Sequence, residues 1–255
     1  MNVYSMLKIE LFKLLKKRLS LAMMAILFVP AFYTFSIMTD APLLQMPESG
    51  ALDFTFATWS LLGMTGLFQV LFSLVTVSSF SSEIENGQIR SSVTRLCNRK
   101  KIVYVKATAL VIFSVLCYIA FMLFSIACYY ALVIHTPYGN GKWSGEAFDI
   151  LGAVFAVGSI FPLVDVFVTA GIVYIFSLKY KSSICFMLAM GTSAMFLIMQ
   201  FFPWLKYLVP VYVKRLLDQG QISPASALAL CIPYIAASVG CMIFVAHKFE
   251  RMDLK

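Results

Sequence analysis

The sequence predicts an all-α fold, a polytopic membrane protein with six transmembrane helices, and three observations carry that expectation. Of its 255 residues, 61% are hydrophobic and 13% charged, against roughly 45–50% and about 25% in an ordinary soluble domain. The apolar residues gather into six long continuous runs, without the alternation of barrel strands. The basic residues concentrate on alternate connections, as the positive-inside rule describes. So little charge cannot cover a soluble fold of this size, which excludes a soluble enzyme, a disordered chain and a nucleic-acid-binding domain. The net charge of +8 therefore reads as membrane topology and not as a phosphate footprint.

The elements follow in order. Residues 6–19 place Leu7, Leu11, Leu14 and Leu15 on one helical stripe and Glu10, Lys13, Lys16 and Lys17 opposite. That pattern suits an amphipathic helix along the inner leaflet, with lysines toward anionic lipid headgroups; a plain basic flank is the alternative. The first span is 20–38. It is too long for a signal-peptide core and lacks an A-x-A-like exit, so it reads as a retained helix. The next spans are 57–80 and 107–134. The fourth, 150–178, is 29 residues long, about 43 Å as one straight helix. It must tilt or break, and Pro162 is the place for a kink. The fifth and sixth are 182–202 and 224–246, separated by a doubly prolyl, aromatic stretch, 203–223, suited to an external or re-entrant segment. All six runs lack Asp, Glu, Lys and Arg except the fourth, which holds Asp165.

Sixteen of the 20 basic residues belong to the N-terminal segment, the loop 81–106, Lys179, Lys181 and the tail. Both termini are therefore expected in the cytoplasm. Lys16, Lys17, Arg18 and Lys106 read as membrane-edge anchors. Of the six cysteines, Cys97 falls in a reduced loop and the rest in spans, with no C-x-x-C pair, so neither disulfides nor zinc are expected.

The largest polar feature is the loop 81–106, SSEIENGQIRSSVTRLCNRKKIVYVK. Ile89, Val93 and Leu96 recur at helical spacing, Gly87 permits a reversal before them, and Glu83 and Glu85 precede it. An apolar face flanked by charges suits docking into a groove on another protein; a solvated positive-inside loop is the bland alternative.

The order E-x-x-x-G (Glu83 to Gly87), N-R-K-K-I (Asn98 to Ile102) and Lys106 resembles the loop between spans two and three of ABC-2 type transporter permeases. Glu83, Gly87, Arg99 and Lys106 match that family's pattern, whereas Gln88 replaces its usual Thr and Leu96-Cys97-Asn98 its usual Pro and Ser. The six spans, the basic N-terminal helix and the tail Phe249-x-Arg251-x-Asp253 add to the likeness. The motif covers about 25 residues of loop and the architecture the whole chain.

The resemblance implies a single permease domain over 1–255, in the plasma or inner membrane of a bacterium. It implies a dimer with a second permease chain and a separate ABC ATPase subunit, in two copies, that binds ATP and Mg. This chain would bind no cofactor or metal and no nucleic acid, only these partners and membrane lipid. The loop would act as a coupling helix, with Glu83, Glu85, Gly87, Ile89, Arg90, Val93, Leu96 and Arg99 at the ATPase contact. The N-terminal helix would act as an elbow. Relatives of this length resemble permeases for antimicrobial-peptide immunity and drug export.

The chain carries no G-x-x-x-x-G-K-[ST] loop, H-E-x-x-H or G-x-S-x-G, so it reads as a transporter subunit and not an enzyme. Asp165 is the anomaly, because a mid-bilayer carboxylate costs about 2.5–3.5 kcal/mol on insertion scales. It is a candidate for the translocation pathway, contacting cationic substrate or relaying a proton. The alternative is a structural hydrogen bond to a hydroxyl such as Thr169 or Thr192. Two rival functions stand beside the exporter: an ion-coupled secondary transporter using Asp165, and a non-transport assembly or signalling subunit.

Overall fold

The computed structural model describes residues 3–39, 49–89 and 99–251. Helix α1 (Val3–Lys16) stops where Lys17 turns extended. Its inward face carries Met6 and Leu14, both buried, with Leu7 and Leu11 packed on the core. Tyr4, Phe12 and Leu15 point outward. The leucine stripe is thus divided: Leu15 lies outside, while Glu10, expected on the polar face, is turned to the bundle at 14% side-chain exposure. The reason is electrostatic, and Lys106 supplies it below.

Among the described residues, six helices are long and apolar enough to cross a membrane, and the protein is membrane-spanning. The first is Arg18–Met38: α2 (Arg18–Ala22), a 3-10 turn over Met23–Leu27, and α3 (Phe28–Met38). The expected span 57–80 straddles two helices, α4 (Ala51–Thr65) and α5 (Leu67–Ser79), which part at Gly66. Gly66 takes φ 65 with nothing within 4 Å of a would-be Cβ. It therefore serves a left-handed break and not the close helix approach a transmembrane glycine suggests. Gly63 does approach span four: a Cβ there would lie 3.6 Å from the Pro162 ring. Hydropathy averages over such a break without registering it.

After a turn at Phe80 comes the short α6 (Ser81–Glu85). Helix α7 (Arg99–Ala131) begins eight residues earlier than its apolar run, continuing through the cations of the loop, and a 3-10 turn follows at Val133–His135. The fourth crossing, Glu146–Ser177, breaks where proline predicts. It consists of α8 (Glu146–Gly158) and α9 (Phe161–Ser177), with Pro162 in the first turn of α9. The Ser159 carbonyl at this break accepts a hydrogen bond from the Trp59 indole at 3.0 Å, which satisfies a group that would be costly to leave unpaired in lipid. Helix α10 is Ser182–Met199, α11 is Pro210–Asp218 and α12 is Pro224–Glu250.

Helix α9 is the centre of the bundle, packing most extensively on α12 and also on α5 and α10. Eleven of its 17 residues are buried, so it is apolar all round apart from its few hydroxyls and Asp165. The main core runs through α5, α7, α9 and α12, with Phe72, Phe80, Phe113, Tyr174 and Phe249 filling it. A smaller cluster of Tyr33, Phe54, Tyr129 and Val133 lies at the other end.

That other end is held by backbone. The amides of Ser49, Ala51 and Leu52 donate to the carbonyls of Tyr138, Lys142 and Trp143, and Asn140 donates back to Ser49. The Tyr129 hydroxyl donates to Ser49 O at 2.8 Å and accepts from the Gly141 amide at 3.1 Å. Two glycines make this approach possible, since a Cβ on Gly145 would sit 2.7 Å from the Gly50 nitrogen.

Candidate functional site

Five charged residues from three separated stretches of chain meet near one end of α9. Lys106 is 2% exposed. Its ammonium donates to Glu83 Oε2 at 2.6 Å, to Glu10 Oε2 at 2.8 Å and to the Ser79 carbonyl at 3.2 Å. Lys17 donates to Glu83 Oε1 at 2.9 Å and to the Ser78 carbonyl at 2.8 Å. Lys13 holds the other oxygen of Glu10 at 2.8 Å. Each carboxylate is thus shared by two lysines. All three donors of Lys106 are used, the arrangement a buried ammonium needs to repay its desolvation.

Local sequence explains why they meet. The helix is interrupted at Phe80 (φ −120) between α5 and α6, and the carbonyls of Ser78 and Ser79 just before the interruption receive the two lysines. Glu83 then follows in the first turn of α6, facing inward at 7% exposure. Glu10 comes from α1 one helical turn before Leu14, on the face that packs against α7. Burial pushes the Glu10 carboxyl up, but Lys106 and Lys13 outweigh it and hold the group below the usual carboxylate range.

The placements differ from expectation in instructive ways. Lys106 and Lys17, expected to reach toward lipid headgroups, instead bind carboxylates inside the protein. Lys16 lies over the Phe12 ring at 4.7 Å and Arg18 is exposed. Glu83, expected to face a partner, is turned into the bundle, and Ile89 is fully buried in the main core. Glu85 is exposed and caps α10, accepting from the Ser182 amide at 2.9 Å and its hydroxyl at 2.5 Å. Gly87 adopts φ 68, a conformation that favours glycine. Arg99 donates to the Glu250 carbonyl at 3.4 Å, and Lys100 pairs with the Glu250 carboxylate at 2.8 Å, joining α7 to the end of α12. Arg90, Val93 and Leu96 lie outside the described residues.

Asp165 sits near the middle of the bundle at 8% exposure. Neither hydroxyl weighed as its partner holds the carboxylate: Thr169 donates to the Asp165 backbone carbonyl at 3.0 Å, and Thr192 to Ala189 O. Both belong to helices and find their own i−3 or i−4 carbonyl first. The group beside the carboxylate is Gln69 of α5, whose amide also reaches Thr169 at 3.2 Å and Ser193 at 2.7 Å. One carboxylate oxygen, Oδ1, has no hydrogen-bond partner among the described residues.

The sequence motifs point to neither Gln69 nor, beyond its place on a polar helix face, Glu10. An amide inside an apolar run is a signal in itself, since it must find partners across helices. Glu10 carried a weaker one, as a lone acid in a basic helix. Among the described residues no group of three or more His, Cys, Asp or Glu is placed to hold a metal ion. No protein-family model matches the chain, and no curated protein matches it.

Proposed function

We propose that this chain is the membrane-spanning permease subunit of an ABC-2 type transporter. It works as one half of a dimer and exports a hydrophobic or amphipathic substrate by alternating access, driven by a separate ATPase subunit. The observation that carries the reading is the shared ion-pair network of Glu83, Lys106, Glu10 and Lys17. Two of its members, Glu83 and Lys106, belong to the ordered loop set that resembles the family, and the other two belong to the N-terminal helix and its end.

In this reading the network is a mechanical joint. A push on the loop after span two reaches the start of α7 through Glu83–Lys106 and α1 through Lys106–Glu10. Glu85 passes it to the first turn of α10. Glu83 acts as a strut, and the ATPase contact falls to the outward side of the loop from the exposed Asn86 onward. The breaks at Gly66 and at Ser159–Ile160 let the far halves of spans two and four change angle while their near halves stay joined. The basic end faces the cytoplasm, where ATP is available, and the ATP and Mg are held by the partner. The scarcity of polar groups along the spans fits a greasy cargo.

The test is purification of the chain from its native membrane in mild detergent. The complex should contain a subunit with a G-x-x-x-x-G-K-[ST] phosphate loop and should hydrolyse ATP. Cysteine introduced as Asn86→Cys should crosslink to that subunit. A native complex without any such ATPase sinks the reading. Transport that survives ATP depletion but is lost in Asp165→Asn would favour the ion-coupled alternative, which the unpartnered Asp165 oxygen motivates.

A further inference from the structure

The end of the bundle remote from the ion-pair network holds a half-open cavity of about 660 Å³, within the roughly 300–1,000 Å³ of small-molecule sites. Its wall takes Asp53 and Phe56 from α4, Glu146 and Phe155 from α8, and Lys214 and Asp218 from α11. Phe56 stacks on Phe155 and on Phe148, with centroids 6.2 and 5.7 Å apart, giving one side a continuous aromatic surface. Three carboxylates stand against one ammonium there, in a chain whose net charge is +8.

Asp53 is the buried acid of the three, whereas Glu146 and Asp218 are exposed. It is 8% exposed, and its Oδ2 accepts from the Gly50 amide at 3.0 Å, closing the first turn of α4. Its Oδ1 has no hydrogen-bond partner among the described residues. That oxygen is shielded from the cavity, so Asp53 would act on a bound molecule through its charge and not through a direct contact. Asp218 points at the bend of span four, its Oδ1 3.9 Å from the position a Cβ would take on Gly158. Burial raises its carboxyl against the opposing pull of Lys214.

We propose that this cavity binds an organic cation with an apolar or aromatic body. The charge sits among Asp53, Glu146 and Asp218, and the body lies along Phe56 and Phe155. An anion would meet three carboxylates, and a neutral molecule would leave their charge unmatched. The aromatic wall suits a cation twice, through burial of apolar surface and through the attraction of ring faces for positive charge. The inference goes beyond the transporter reading and needs no ATPase, so it stands or falls by binding alone.

The experiment uses the full chain in lipid nanodiscs, titrated calorimetrically with tetraphenylphosphonium and with the size-matched anion tetraphenylborate, subtracting empty discs. The phosphonium should bind saturably and the borate only partition. Glu146→Gln combined with Asp218→Asn should weaken phosphonium binding about tenfold or more, and Lys214→Gln should tighten it about threefold. Opposite signs from one cavity separate a charge effect from damage to the fold. Equal behaviour of the two ions, an affinity that neither variant moves, or weakening by both variants overturns the proposal.

Discussion

The two ends of this bundle are held together by different chemistry. At the basic end, side-chain charges from α1, α6 and α7 converge on two buried carboxylates, and every oxygen of Glu10 and Glu83 has an ammonium. At the opposite end the main chain does the joining, through backbone hydrogen bonds between residues 49–52 and 138–143 and a close approach of two glycines. There the carboxylates are under-partnered, as Asp53 Oδ1 shows. The two ends are therefore intolerant of different changes. A charge network fails when one member is removed, because the rest stay buried and uncompensated. A backbone clasp is indifferent to most side chains but not to added volume where no Cβ fits.

The largest loss of stability is expected of Lys106→Met, which leaves Glu83 and Glu10 without their shared cation. Removing one partner of a buried pair costs about 3–5 kcal/mol. The melting temperature in detergent should fall by the largest margin of any single change considered, while Lys106→Arg should recover part of it. A melting curve like that of the parent would mean the network is solvated in lipid. Next comes Gly145→Ala, whose Cβ would sit 2.7 Å from the Gly50 nitrogen. Overpacking of this kind costs about 1–3 kcal/mol, and limited proteolysis should find the cuts near 139–145 while the basic end stays protected. Cuts that appear at both ends would show the two to be one cooperative unit.

The smallest expected effect is a dependence on pH at the basic end. Glu10 titrates below its usual value of 4.5 because Lys106 and Lys13 overcome burial. A depressed carboxyl contributes stability that is complete above the usual value and lost as pH falls through the folded one. The stability gap between the parent and Glu10→Gln should therefore be constant near neutrality and close only below about pH 4.5. A gap that changes between pH 6 and 8 would place the sensitive group elsewhere.

Much of the fold was legible because lipid imposes a length and a composition on each crossing. Five of the six runs coincide with span-length helices, the run 57–80 is shifted to Leu67–Glu85, and Pro162 marked its own break. Gly66 was not legible, because the same residue in an apolar run serves equally for close packing or for a left-handed turn, and only φ decides. The start of α7 was hidden for the opposite reason: Arg99, Lys100 and Lys101 are good helix formers, while hydropathy counts them as loop. Of the candidate site, Glu83 and Lys106 were visible as a motif but not as a pair. Their meeting depends on the interruption at Phe80 and on α1 folding back, which are contacts across 23 and 96 positions of sequence. The cavity lined by Asp53, Glu146 and Asp218 was invisible, since its acids lie 72 or more positions apart.

The break at Gly66 bears on how the molecule comes apart. The amide-to-carbonyl ladder of a continuous helix couples its two halves, so that fraying at one end is felt at the other. Here the ladder ends at the Gly66 amide, which bonds back to Gly63, and resumes from the Gly66 carbonyl to Val70. Helix α4 packs with α7 and α8, while α5 packs chiefly with α9 and α10. Amide hydrogen exchange should therefore resolve α4 and α5 as separate opening units despite their adjacency in sequence. Residues 51–79 would then relax in two steps with two rates, α4 exchanging while α5 keeps its protons.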